Sequence, residues 1–501
     1  MSFIRRIKKG NAVYLAEVES VRQGKTVKQK FIRYIGKEVN GKQILSSSIS
    51  NLTIDSIKVY GPLALLNSLA SSIELHSHLG EYAKELLSMV YAHCINPQSI
   101  SSLTDWFKKT DLNFILDLDG VTEERLLKAI DSLEQLNWDI LQHSIFESVK
   151  ENYNITATGI FYDVTNTYLY GRRCTLGKLG HSKHGKNNNP LIQIGLGILR
   201  HSGIPVFHSV YEGNIHDARI FSDAIERFSS FDIRDVIVVY DRGITSESNV
   251  SALKRLNLQG ICGVPIRGSI KQIVRMVVKK NKILDYKNRI KLTSTKIYAD
   301  DKAHSMGGIN GKLIVCYNPR MREDIRENRY DEIQHAQENI RLKKNIKHGL
   351  AKYFDEKGQL KKSVLNAAEE MDGYSCIFST NKRLSKEEII KTYYEKDLVE
   401  KAFRTLHGVV KLRPIRHWLN TRVVGHVFIC YLSYLLLSLF QYRLAMSYLH
   451  YSATDALKKL DTYYKVYARD ADKGFTFQKT VSLTKEQEAI VKAVDRRIAK
   501  M

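Results

Sequence analysis

Between residues 156 and 264 the hydrophobic period switches between two residues and about three and a half, and that order constrains the fold strongly. "TATGIFYDVTNTYLYG", "PLIQIGLGILRHSG" and "IPVFHSVYEGN" read as strands. "DARIFSDAIERFSS" reads as a helix, "DVIVVYD" as a strand, "SESNVSALKRLN" as a helix and "LQGICGVPI" as a strand. A β-β-β-α-β-α-β order predicts a mixed sheet with helices on its faces. The first strand has an anomaly. Asp163 interrupts a run of strand formers, and a carboxylate withdrawn from water without partners costs several kcal/mol. Alternation puts it with Phe161 and Thr165, opposite Ile160, Tyr162 and Val164.

The charge balance points to a polyanionic partner. Lys and Arg number 77 against 53 Asp and Glu, a formal net charge of +24, spread along the chain. Such an excess suits nucleic acid. The six cysteines are far apart, so no Cys/His cluster, zinc site or disulfide framework is expected. A reducing cytosol fits, and the basic N-terminus lacks a signal-peptide core. "HVFICYLSYLLLSLFQYRL" is short for a membrane span and bracketed by polar residues, so a buried helix is expected and no membrane.

The expected organisation is α/β and multidomain. Residues 1–59 read as a basic β unit, with 11 Lys/Arg and 3 Asp/Glu in its first 43 residues. Residues 60–150 read as a helical, DNA-binding domain, with a helix start at Thr122-Glu123-Glu124. The first part of an α/β core then runs over 151–265. Residues 266–370 read as a basic β-rich insertion, with 24 Lys/Arg and 13 Asp/Glu. The core resumes over 371–445, and 446–501 reads as a C-terminal helical region suited to dimerisation.

Two further carboxylates join Asp163. Asp241 ends an apolar strand, on the face of Ile237 and Val239, and acidic residues at strand ends of an α/β sheet project into sites. In "TYYEKDLVEKAFRTLHGVVKLRPIRHW", Tyr393, Lys396, Glu400, Arg404 and His407 fall on one helical stripe. Leu398, Val399, Ala402, Phe403 and Leu406 form the other side. Three carboxylates suit two Mg²⁺ ions, which take oxygen ligands and promote in-line attack on a phosphodiester. The basic stripe would hold the DNA backbone beside them.

These residues resemble a known family, the bacterial insertion-sequence transposases of the DDE class. The resemblance is to the subgroup with a β-rich insertion and a Tyr-x2-Arg-x3-Glu-x6-Lys signature. It covers roughly residues 1–445, most strongly 158–265 and 372–440. "EGNIHD", "VVYDRG" and "LRPIRHW" followed by "VVGHVFICYLSYLLL" resemble segments of the same family. The resemblance implies a ribonuclease H-like core interrupted by the insertion, with Asp163, Asp241 and Glu400 as catalytic metal ligands. Tyr393 and Glu400 match the signature. Lys396 stands at its Arg position and His407 at its Lys position, and Arg404 or Lys411, on the same stripe, could supply the missing cation.

Phosphate contacts are therefore expected from Tyr393, Lys396, Arg404, His407, Lys411 and Arg242. Some relatives stack a flipped base on an insertion Trp. Here Trp106, Trp138 and Trp418 all lie outside 266–370, leaving Tyr298 or Tyr317. The implied activity uses Mg²⁺, with Mn²⁺ as a substitute. A homodimer would bind double-stranded DNA at terminal inverted repeats, cleave it and join the 3′-hydroxyls to target DNA, in a bacterial cytoplasm at the nucleoid. A nuclease that cuts without joining, and an inactive transposase-derived binding protein, are the alternatives.

Overall fold

The computed structural model describes residues 2–10, 12–23, 26–39, 42–45, 52–170, 173–180, 189–231, 237–279, 283–292, 295–470 and 476–500. Four strands, β1 (Ser2–Lys9), β2 (Ala12–Gln23), β3 (Thr26–Val39) and β4 (Lys42–Leu45), form an antiparallel sheet in sequence order. Every residue of β1 is exposed. The next strand, β5 (Leu52–Val59), does not join them. The expected N-terminal unit therefore divides before β5.

Seven α-helices follow: α1 (Gly61–Ser72), α2 (Leu75–Leu79), α3 (Ala83–Ile95), α4 (Ile100–Lys108), α5 (Leu112–Ile115), α6 (Glu123–Ser132) and α7 (Trp138–Tyr153). The expected start at Thr122 is a side-chain cap, its hydroxyl accepting the Arg125 N–H at 3.2 Å. Such a cap satisfies one of the free N–H groups of a first turn.

The alternating region forms β6 (Gly159–Tyr168), β7 (Leu191–Leu199), β8 (Pro205–Glu212), α8 (Asp217–Ser230), β9 (Ile237–Tyr240), α9 (Glu247–Arg255) and β10 (Gln259–Val264), the order read from the sequence. β6, β7 and β8 are antiparallel neighbours, while β9 lies parallel to both β6 and β10. Bare backbone at two positions of β7 lets aromatic rings lie on it. A Cβ on Gly195 would stand 2.1 Å from the Tyr162 hydroxyl, and one on Gly197 2.9 Å from the Phe207 ring.

The following segment departs from expectation. "SIKQIVRMVVK", at the start of the segment expected to be β-rich, lies within α10 (Gly268–Lys279), burying Ile270, Val274 and Val277. Their spacing of four and three residues is helical, and it outweighs the β-branched composition. β11 (Arg289–Lys291), β12 (Lys296–Met306) and β13 (Ile309–Tyr317) come next, then α11 (Pro319–Arg341) and α12 (Lys362–Glu369). The strands are not a separate layer. β13 pairs with β14 (Tyr374–Ser379), and β14 with β10, giving one nine-stranded sheet ordered β11-β12-β13-β14-β10-β9-β6-β7-β8. Asp372, nearly fully buried, fastens α11 at the entry to β14 through a bidentate pair with Arg329, at 2.5 and 2.7 Å.

α13 (Lys386–Tyr394) and α14 (Asp397–Gly408) meet at a short break, and a Ser385–Glu388 capping box starts α13. α15 (Asn420–Met446) is the apolar stretch noted above. It is long and apolar enough to cross a membrane, yet it is buried, packing on α3, α6 and β8. The C-terminal region is not all helical. Between α16 (Ala453–Lys459) and α17 (Lys485–Val494) lie β15 (Tyr464–Asp470) and β16 (Thr476–Thr480). β15 pairs antiparallel with β5, so a chain-distant partner completes a three-stranded sheet.

Candidate active site

The carboxylates are positioned by strand register. β6 and β9 pair in parallel as Gly159 with Ile237, Ile160 with Val238 and Phe161 with Val239. Two residues further, each strand reaches its aspartate. Asp163 lies within β6 and Asp241 directly follows the end of β9, so the parallel register carried past its last printed pair points both aspartates toward the same end of the sheet. Asp163 is the one residue of Gly159–Thr167 that is not buried. The interruption is thus where the sheet opens.

The next strand extends the row. β10 pairs Ile261 with Val239 and Cys262 with Tyr240, which puts Gly263 level with Asp241. The Tyr393 ring lies over this glycine, and a Cβ there would stand 2.4 Å from the Tyr393 hydroxyl. That hydroxyl donates to Asp241 Oδ1 at 3.1 Å. The Arg242 backbone N–H donates to the same oxygen at 2.8 Å, and Lys396 Nζ lies 3.2 Å from it. Among the described residues, these interactions all fall on Oδ1. Burial pushes the Asp241 carboxyl up, but the Lys396 ammonium, the Arg242 N–H and the Tyr393 hydroxyl outweigh it, and the net shift is downward.

Glu400 comes from α14, which packs on β6 and β7 by Val399, Ala402, Phe403 and Leu406. This leaves Glu400 and Arg404 exposed on the opposite side. Asp163, Thr165, Glu400, Arg404, His407 and Arg413 line one cavity of about 350 Å³. Asp241 is not in its lining. Lys396, directly before α14 and four residues before Glu400, makes the link: it lies on Asp241, while α14 carries Glu400 to the Asp163 cavity.

The other expected contacts divide. Tyr393 and Lys396 are engaged by Asp241 and do not point free into solvent. Arg404 pairs with Asp397 at 3.3 Å on its own helix. His407 is half-buried and stacks on Phe403, with ring centres 6.5 Å apart. Arg242 is exposed in the turn after β9. Lys411 is not on the α14 stripe, because the helix stops at Gly408 and Lys411 takes left-handed backbone, φ 59°. It lines a different pocket. Tyr298 is half-buried, and Tyr317 is 6% exposed with its ring 4.7 Å from that of Tyr374 and its hydroxyl accepting from Arg322 at 3.2 Å. Tyr317 as it stands offers no open face to a base.

Sequence reasoning missed three features. Gly263 looks like any strand glycine until Tyr393 is placed over it. Arg413 was visible only within "LRPIRHW". The expectation of no Cys/His cluster is also overturned, since His93, His426 and Cys430 bring donor atoms within 4.8 Å of one another. In the structure their imidazoles bond to backbone: His93 Nδ1 to the Val410 carbonyl at 2.7 Å and His426 Nε2 to that of Leu412 at 3.2 Å. They pin the segment that leads to Arg413. Burial pushes His426 down to about 3 and the Cys430 thiol up, so both are neutral.

No family model matches this sequence, and no curated protein matches it. Among solved structures, the chain is similar to the piggyBac transposase in a synaptic complex with hairpin DNA. Identity is 10%, the alignment covers 81% of this chain and 80% of that one, and the TM-score is 0.42. The functional reading rests on the carboxylates and not on this likeness.

Proposed function

We propose that this chain is a metal-dependent DNA transposase with a ribonuclease H-like core of the insertion-sequence DDE class. It would act as a homodimer on inverted-repeat ends in the bacterial cytoplasm. One observation supports the reading: β6 and β9 pair in parallel just before Asp163 and Asp241, and Asp163 and Glu400 line one cavity. Nothing in a packed sheet calls for two aspartates at the same end of adjacent strands, and like charges so placed repel unless cations separate them.

The residues fit divalent metal. Their donors are carboxylate oxygens, the ligands that Mg²⁺ and Mn²⁺ prefer, and the hydrogen bonds that Asp241 accepts fall on Oδ1. Asp163, Asp241 and Glu400 would hold the metal, which supplies activation of the attacking oxygen and stabilisation of the leaving one. The protein does the rest. Tyr393, Lys396 and Arg242 fix one Asp241 oxygen and keep the carboxyl ionised. Arg404 and Arg413, beside the cavity, would hold the backbone phosphates of the cleaved strand. The basic N-terminal sheet, helical domain and insertion would grip duplex DNA on either side.

The test uses a plasmid carrying the DNA that flanks the coding region. With Mg²⁺ the protein is expected to cut at the element ends and join the 3′ ends to a second plasmid. Cutting without joining would leave a nuclease, and binding without cutting a derived binding protein.

A further inference from the structure

The cluster of His93, His426 and Cys430 lies outside the carboxylate cavity. His426 and Cys430 stand four residues apart on α15, about one turn, so they share a face. His93 reaches them from α3. The two helices are held in register beside the cluster. The Ser433 hydroxyl is shared between the carbonyls of Ile429, at 2.7 Å, and Val90, at 3.0 Å, and the Cys94 thiol donates to the Ser433 carbonyl at 3.5 Å.

The spacing of the donors is close to that of a metal site. Cys430 Sγ lies 3.7 Å from His426 Nε2 and 3.9 Å from His93 Nδ1. A tetrahedral zinc ion, with Zn–N of about 2.1 Å and Zn–S of about 2.3 Å, needs N···S separations of about 3.6 Å. Imidazole and thiolate suit Zn²⁺ and are poor ligands for Mg²⁺, which takes oxygen. The cluster and the three carboxylates thus favour different cations. A way in exists as well. His93 and His426 line a pocket of about 820 Å³, and His417 lines it too, its ring centre 5.6 Å from that of His426.

The hydrogen bonds to the Val410 and Leu412 carbonyls compete with a metal but do not forbid it. Two hydrogen bonds contribute far less than a zinc ligand set. Each imidazole stays neutral on binding, its proton moving from the ligating nitrogen to the other one, and the thiol proton leaves to solvent.

We infer that His93, His426 and Cys430 bind one Zn²⁺ ion per chain in a tetrahedral site whose fourth position faces the pocket. Water or His417 completes the set there. The inference stands apart from the proposed function, because it uses none of the three carboxylates.

The test titrates the full chain with Co²⁺, which takes zinc's geometry and absorbs visibly, in excess Mg²⁺ to fill oxygen sites. Wild type should give the intense visible bands of tetrahedral Co²⁺ and a thiolate-to-cobalt band in the near ultraviolet. Both should saturate at one ion per chain and vanish when Zn²⁺ is added. Cys430→Ser should lose the thiolate band, while Cys316→Ser, at a thiol buried in the sheet, should keep it. His426→Gln should weaken Co²⁺ by more than the about 10–100-fold that loss of an outer-shell partner costs. Weak octahedral bands in wild type would overturn the inference even if a variant failed to fold. So would a thiolate band that survives Cys430→Ser or is lost in folded Cys316→Ser.

Discussion

Asp163 and Asp241 each follow by two residues the Phe161–Val239 pair of adjacent parallel strands, Asp163 within β6 and Asp241 just past the end of β9. Their strands come from different parts of a β-β-β-α-β-α-β unit, so the crossover through α8 sets the alignment. A one-residue slip of β9 against β6 would turn Asp241 to the other face. The tight packing around this row makes that slip costly, and several consequences can be measured.

Gly263 keeps Tyr393 on Asp241. Adding a methyl 2.4 Å from the Tyr393 hydroxyl overpacks the site, at a cost of about 1–3 kcal/mol. Gly263→Ala should therefore lower stability and DNA cleavage together. In a Tyr393→Phe background the oxygen is gone and the nearest ring carbon is 3.2 Å away, so the same substitution should cost much less. A double-mutant cycle by urea unfolding checks this, and additive costs would show that the two groups do not meet.

Asp241 links stability to acid pH. Its folded pKa is depressed below the unfolded value of about 3.9, so its ionised form stabilises the fold above that value. The contribution is lost as pH falls through the lowered folded value. The side chain is 45% exposed, so screening holds the effect under about 1 kcal/mol. Lys396→Met removes the opposing cation and should move the acid limb of the unfolding profile to higher pH. Superimposable profiles between pH 2 and 6 would contradict the assignment.

Arg329 and Asp372 form the bidentate pair that fastens α11 to the sheet, with side chains 13% and 4% exposed. Removing one partner strands the other charge. Asp372→Ala should cost about 3–5 kcal/mol, seen first as faster hydrogen exchange in α11 and β14. Equal exchange in the variant would show that α11 is held by other contacts.

Much of this arrangement is legible in sequence, and what is hidden has a common cause. Asp163 and Asp241 stand out because a polar residue breaks or ends an apolar alternation, and Glu400 because its stripe opposes Val399, Ala402, Phe403 and Leu406. These are local periodicities. The union of β5 with β15, the meeting of His93 with His426 and the burial of Tyr317 against Tyr374 depend on pairings between distant segments. No local pattern encodes them. α10 was misread because its β-branched residues favour a strand while its buried face, Ile270, Val274 and Val277, follows a helix. Lys411 was misplaced by extending the α14 stripe three residues past its end at Gly408.

The most direct test is Mg²⁺-dependent cutting of a supercoiled plasmid carrying the flanking DNA, by wild type and by Asp163→Asn, Asp241→Asn and Glu400→Gln separately. Each variant should stay folded, Asp241→Asn losing no more than its small ion-pair contribution, and should keep its grip on the DNA, and each should lose cutting by about a thousandfold or more. Cutting at near wild-type rate by any one of the three would show that the carboxylates do not form one catalytic site.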